Sequence, residues 1–432
     1  MNVAREIAWP YRWPDLPAAL LLACIALLPF ARLVEVPLAG LAMGGLFLTW
    51  RCGFARLATP GPRIFTWMFL SFCIPMLVAS IDAVNPSKSW LTSLGVLRYL
   101  LAGFWVLGTY SRHRFPDWFA AGVTAIVSFW LVDLAWQAAS GTDLLGMPRA
   151  EQRLNGVFGN HHYQLGPMLV LLLPIALAWL YRRQYTHVAN FLLLAGFAAV
   201  IGIGTRNAWL MASVSVLVYI SLAPRSALVA QRARIAGLAV AVSAIGLIVV
   251  WQSPYVQQRI AQSARALEAN TPAVDEALTL RLPIWQTAWH MALEHPINGV
   301  GPRGFRFAYA EFAPPGDPWV ANPAWIGAYH PHQLMLEVWS ETGVIGLIGL
   351  GLLVSLLHRA YVRAPSAQRV AMLPYAIALV TLLFPLNTGY AMYSSFWSTI
   401  LWWNIMIFLA LAGPARSPEP DRTVPPHPQD AS

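Results

Sequence analysis

Two histidines, His330 and His332, stand two residues apart at the end of a long polar stretch, directly before an apolar run. A histidine at a helix N-terminus has its charged form disfavoured by the helix dipole, and a neutral imidazole is what a general base needs. Metal sites take three or four ligands, and no partner for the pair stands at a ligating spacing, so no metal is expected. Upstream, Arg281 precedes Pro283, and Trp285, Ala288, Trp289 and Ala292 follow at helical spacing. Proline favours the first helical turn, which sets Arg281 at a helix start, where backbone N–H groups already attract anions. The Trp285/Trp289 pair shares one face and is expected to pack on core or membrane. His295-Pro296-Ile297-Asn298-Gly299-Val300-Gly301 then reads as a helix stop and a glycine turn. No strand precedes these glycines, so they are no dinucleotide fingerprint.

Two further arginines sit where an anion would be met. Arg206 lies in Gly204-Thr205-Arg206-Asn207, a minimal hairpin between two apolar runs, and an arginine at membrane level is a functional candidate. Arg153 opens Arg153-Leu154-Asn155-Gly156-Val157-Phe158-Gly159-Asn160, a glycine-punctuated loop that can aim its guanidinium at an anion. The remaining basic residues of this kind, Arg149, Arg259, Arg265, Arg303 and Arg306, are expected as solvated or headgroup-facing charges. Glu337 and Glu341 form a polar interruption of an apolar helix and either orient arginines or mark the interface.

The elements that must position these groups follow from composition. Of 432 residues 57% are hydrophobic and only 11% are charged, with 28 basic against 19 acidic side chains. Soluble domains carry about 25% charged residues, so this chain is neither an ordinary soluble enzyme nor a disordered one. It is expected to be an all-α polytopic membrane protein. Its 20 tryptophans and 14 tyrosines suit interfacial belts. The net charge of +9 reflects topology rather than nucleic acid, since most arginines fall in short loops. Cys24, Cys52 and Cys73 lie in or beside apolar segments and make no disulfide framework. Residues 1–15 carry no cleavable signal pattern, so the first apolar run is expected to be retained.

Apolar runs long enough to span a bilayer fall near 16–32, 36–50, 64–81, 90–110, 116–138, 164–181, 187–204, 207–223, 234–251, 334–357, 370–387 and 392–412. That makes about twelve transmembrane helices. With a cytoplasmic N-terminus, every short loop on that side is basic, as the positive-inside rule asks, and both termini are cytoplasmic. The expected organisation is helices 1–9 within 1–251 with a short outer loop at 140–163, a large outer loop over 252–332, helices 10–12 within 333–412, and a disordered tail over 413–432.

The motifs Arg281-x3-Trp285-x2-Ala288, His295-Pro296-Ile297-Asn298-Gly299-Val300-Gly301 and His332-x8-Glu341-x-Gly343 resemble the signature region of the O-antigen ligase/polymerase superfamily. Arg153-x2-Gly156-x-Phe158-x-Asn160 and Thr205-Arg206 fit the same pattern, so the resemblance spans roughly residues 150–350. It implies a GT-C-like glycosyltransferase in the bacterial inner membrane with a periplasmic active site. The reaction it implies moves O-antigen polysaccharide from undecaprenyl diphosphate to lipid A-core oligosaccharide, completing lipopolysaccharide. On that reading His332, Arg206 and Arg281 are catalytic. Arg153, Arg265, Arg303, His330 and Glu337 contact the diphosphate or the acceptor. Either His330 or His332 can be the base. Direct displacement would invert the anomeric centre without metal or other cofactor. Expected partners are the lipid-linked donor, lipid A-core and membrane lipids, not nucleic acid, and the expected state is a monomer. An O-antigen polymerase is the nearest alternative, although a single large outer loop leans towards a ligase. A transporter of an anionic substrate is the alternative from another class, although the arginines cluster at one face rather than at the midplane.

Overall fold

A computed structural model describes residues 14–53, 59–111, 113–149, 153–222, 280–321 and 328–413, with isolated residues between 237 and 261. The expected helix near 234–251 lies largely outside the described residues. Arg259, Arg265 and positions 414–432 lie wholly outside them.

Among the described residues the regular structure is helical. In chain order the first nine helices are α1 (Asp15–Ala26), α2 (Glu35–Cys52), α3 (Pro60–Ala79), α4 (Pro86–Gly95), α5 (Leu97–Tyr110), α6 (Trp118–Ser140), α7 (His162–Arg182), α8 (Thr186–Ile203) and α9 (Arg206–Leu222). After the large loop's start come α10 (Leu282–Glu294), α11 (Phe305–Phe312), α12 (Pro318–Ala321), α13 (Leu334–Arg363), α14 (Ser366–Leu383) and α15 (Ser395–Leu411). Among the described residues eight stretches are long and apolar enough to cross a membrane, with α4 and α5 together forming one of them. The chain is a multi-pass membrane protein. Three further expected spans, α1, α9 and α15, are apolar helices of 10–17 described residues.

Local chemistry explains the differences from the expected boundaries. The first run stops as an α-helix at Ala26 because Pro29 follows, and Leu28–Val34 winds as a tighter 3-10 turn. α14 ends at Leu383, not 387, because Pro385 holds Phe384 in extended backbone.

α15 is buried along nearly its whole length, from Trp397 to Ala410. A helix apolar on every side belongs in the middle of a bundle. Trp402 anchors it against α3, with Phe65, Phe69 and Phe72 rings 5.4–5.5 Å away. Outer helices expose the opposite pattern, including Trp50, Phe191, Leu217 and Leu352. Such a surface suits lipid rather than water. A second, smaller core gathers Ile284, Ala288, Met291, Val300, Phe305 and Tyr309 from α10, α11 and the turn between them.

That second core is fastened to the bundle by a broken helix. α13 changes direction at Gly343, whose φ of 64° and ψ of −164° are closed to residues with a side chain. A Cβ there would also strike the Ile297 backbone. The turn 296–301 lies along the break and supplies the missing partners. Val344 and Ile345 N–H donate to Pro296 and Ile297 carbonyls (2.8 and 3.2 Å), while Val300 and Gly301 N–H donate to Ser340 and Glu341 carbonyls (2.8 and 3.0 Å). Non-helical backbone in a membrane span survives only when its polar groups are met by protein in this way. Gly299 permits the approach from the other side, its Cα packed on the Glu341–Thr342 peptide.

Candidate functional site

Five connections meet at one end of the bundle. Val84 N–H donates to Val300 O (3.1 Å), and Leu334 N–H donates to Asn387 O (3.1 Å). Leu154 reaches Gly202 at the end of α8. Asn207 Oδ1 accepts from both Thr388 N–H (3.1 Å) and Thr388 Oγ1 (3.2 Å). The segments 80–85, 141–161, 204–205, 280–333 and 384–394 are the loops the charge pattern assigns to the outer face.

The histidine pair lies here. The tight His330-Pro331-His332 turn forces His332 to a φ of 52°, unusual for a residue with a Cβ. The turn lays the two rings 3.8 Å apart and lets His332 N–H donate to His330 Nδ1 (3.2 Å). A neutral His330 therefore carries its proton on Nε2. The His332 ring instead lies near the Thr388 backbone, which favours its charged form. Burial, and then the charge of Arg281, push His332 down to about 3, against the small opposing effect of Thr388. Burial also holds His330 well below the ordinary histidine range, helped by His332, Arg303, Arg281 and Arg306. Both imidazoles are neutral at neutral pH.

Arg281 caps the N-terminus of α10, with Pro283 in its first turn. The Trp285/Trp289 face meets protein in part: the Trp289 ring stands edge-on to Trp339 of α13, 5.0 Å away. Arg303 takes a φ of 63° in the turn before α11, and its N–H donates to Glu341 Oε2 (2.7 Å). Glu337 and Glu341 have no exposed surface, and both Glu337 oxygens and Glu341 Oε1 meet no hydrogen-bond partner. The Tyr390 hydroxyl nearby is likewise buried and unpartnered.

Of the residues singled out by sequence, Arg281, Arg303, His330, His332 and Glu337 come together. Arg206 opens α9 one residue before Asn207, which holds Thr388 and, through it, His332. Half-buried Arg153 lies on the loop that packs on the same hairpin. Arg149 stands apart, with its guanidinium on the Gln137 and Ala138 carbonyls at the end of α6. Asn207, Thr388, Tyr390 and Arg306 were not legible as site residues. Asn207 alone carried a signal, its place beside Arg206 in the hairpin. Among the described residues no three His, Cys, Asp or Glu side chains gather as a metal would require.

The arrangement is that of a multi-pass membrane protein whose bundle carries a basic, histidine-bearing cluster at its loop-rich end. Residues 190–351 match the family model described as O-Antigen ligase, which places this segment and the cluster it carries in the O-antigen ligase superfamily. That family's chemistry is of glycosyltransferase type, on lipid-linked polysaccharide and lipopolysaccharide. No curated protein matches the chain.

Proposed function

We propose that this chain is an O-antigen ligase of the bacterial inner membrane, with twelve helices, both termini cytoplasmic and the histidine cluster at the periplasmic face. The carrying observation is the tight turn that lays the His332 ring on His330 and close to the charge of Arg281, within the family segment. The acceptor hydroxyl of lipid A-core attacks the anomeric carbon of the undecaprenyl diphosphate-linked glycan. The new C–O bond forms as the bond to the phosphate oxygen breaks, and the anomeric centre inverts. His332 takes the hydroxyl proton on a ring nitrogen, and the diphosphate leaves with the electron pair. Arg281, Arg206 and Arg153 neutralise that leaving group.

Substrate supplies what the free site lacks. With a pKa of about 3, His332 is a weak base because it is buried and faces Arg281. A diphosphate on Arg281 cancels that charge and strengthens the base when there is something to deprotonate. His330 donates rather than accepts, so it serves as a contact and not as the base. Glu337 offers its open oxygens to acceptor hydroxyls. The mechanism needs no metal.

Transfer by the purified protein in detergent, with chelator, tests this. Capped lipid A-core on a gel is the expected result. Elongated lipid-linked glycan with untouched lipid A-core would make the chain a polymerase, and no product would point to transport. Loss of transfer that divalent metal alone restores would overturn the metal-free chemistry.

A further inference from the structure

The exposed side of α10 is divided lengthwise. Its buried face carries Ile284, Ala288 and Met291. At 3.6 residues per turn, Trp289 and Leu293 stand together on one flank of that face, while Gln286, His290 and Glu294 stand on the other. All five are exposed. Leu293 is 54% exposed, and Ile297, just past the helix end, is 63% exposed. A helix with water on its whole outer side would be polar across that side. This one has a core sector, an apolar sector and a polar sector.

The turn after α10 fixes its depth. Val344 and Ile345 N–H donate to the Pro296 and Ile297 carbonyls, so Ile297 stands level with α13 just past its break. From Val344 to Arg359, at the basic end of α13, the helix rises roughly 22 Å, and tilt only lessens that height. The hydrocarbon of a bilayer is about 30 Å thick. With Arg359 at one edge of it, Ile297 falls inside the other edge, not above it. The apolar flank also continues into the side that α13 turns to lipid, where Val344, Ile348 and Leu352 are exposed at successive turns. On the outer side of the break the Trp289 and Trp339 rings meet at 5.0 Å, the kind of residue that a membrane's interfacial belt holds. Charged Glu294 is costly in hydrocarbon where its neighbour Leu293 is not, and that difference sets the roll of the helix.

We propose that α10 is an interfacial helix. Trp289, Leu293 and Ile297 sit among the acyl chains of the leaflet at the loop-rich end, and Gln286, His290 and Glu294 face water. The segment that the charge pattern assigns to a free outer loop is thereby fastened to the membrane surface, together with Arg281 at its start. The inference goes beyond the transferase reading and does not depend on it.

The test compares two adjacent residues at one depth. Leu293→Cys and Glu294→Cys are made separately in the full chain carrying Cys52→Ser, since Cys24 and Cys73 are buried. Each is labelled with a nitrobenzoxadiazole probe and placed in vesicles of phosphatidylethanolamine and phosphatidylglycerol, with the chain lacking either new cysteine as background. Nitroxide on the lipid acyl chains should quench the probe at 293 several-fold more than the probe at 294, and aqueous iodide should do the reverse. Both proteins should elute as single species, as expected for exposed positions. Equal quenching of the two probes by iodide would put α10 in water and overturn the proposal. Equal quenching by nitroxide would overturn the polar sector. A probe at 293 that neither quencher reaches would mean that protein covers this flank, from a second copy or another part of the chain, and would overturn it as well. The expected quenching by a chain that transfers nothing would keep the interfacial helix while removing the ligase reading.

Discussion

Two membrane helices bury carboxylates without any exposed surface, and they treat them in opposite ways: Asp133 on α6, and Glu337 with Glu341 on α13. Asp133 Oδ1 accepts Leu144 N–H (2.9 Å) and Oδ2 accepts Val157 N–H (2.8 Å). One turn on, Gln137 Oε1 accepts the Asn155 and Gly156 amides (2.9 and 3.0 Å) while its Nε2 donates to Asn155 Oδ1 (2.7 Å). Each of those oxygens has a backbone donor, and together they fold the 141–161 loop over the end of α6. On α13 only Glu341 Oε2 is met at hydrogen-bond distance, while the Met392 and Tyr393 backbone near Glu337 and the Phe305 backbone near Glu341 stop short of it. A buried polar group is normally paired, and one left open in a membrane span marks function. The α6 cluster is scaffold for the loop bearing Arg153. The α13 cluster is a place kept for something else.

The sharpest way to break that contrast is the histidine beside the open cluster. Replacing His332 should cut transfer by about 10²–10⁴-fold, the range of general-base removal. Asparagine is the substitution of choice, because it tolerates the positive φ that alanine would strain. An active His332→Asn protein of normal elution would remove the base assignment. Next in size, Asp133→Ala should lower stability by about 2–6 kcal/mol, as two backbone amides lose partners at about 1–3 each. Thermal unfolding in detergent reads it, and an unchanged midpoint would mean the α6 network is no scaffold. Glu337→Gln should do the reverse, holding the midpoint while transfer falls. If it destabilises as much as Asp133→Ala, the two clusters are alike and the contrast fails.

A pH series gives a smaller effect with a definite sign. The folded His332 sits at about 3, below the ordinary 6.5, because it is buried and faces Arg281. Between those values the unfolded chain binds a proton that the folded chain does not, so this histidine's contribution to stability is complete above pH 6.5 and shrinks as pH falls towards 3. For the free enzyme, kcat/KM should lack an acid limb from His332 down to about pH 5. A limb near 6.5 would assign the proton to another group. Smallest of all, Arg149→Ala should cost about 1 kcal/mol or less through the end of α6, and leave donor KM alone.

Much of the scaffold was legible because its signals are local. Apolar length marks spans, Pro283 marks the start of α10, and the Ser140 and Gly204 junctions mark helix ends. The first and fourth spans were less legible. The first run stops short at Pro29, and the fourth is interrupted at Val96 between α4 and α5, directly after Gly95 and two residues before Arg98. In the site, single residues stood out when an odd residue met an odd place, as with Arg206 in a hairpin or His332 before an apolar run. Arg306 and Thr388 did not, because nothing local distinguishes them.

The sequence by itself determined that this chain lives in a membrane, that its basic loops alternate in a way that sets a topology, and that its Arg, His and Gly motifs follow the order of one superfamily. Hydropathy, loop charge and motif order are all properties of neighbouring residues. Only the tertiary structure decided what surrounds His332, because the Thr388 backbone near its ring is held by Asn207, which is far away in sequence. It also decided that Gly299 and Gly343 are two halves of one junction, since a broken helix must find its backbone partners wherever the fold brings them. Partner choice across long sequence separations is set by packing, and packing is a property of the whole chain.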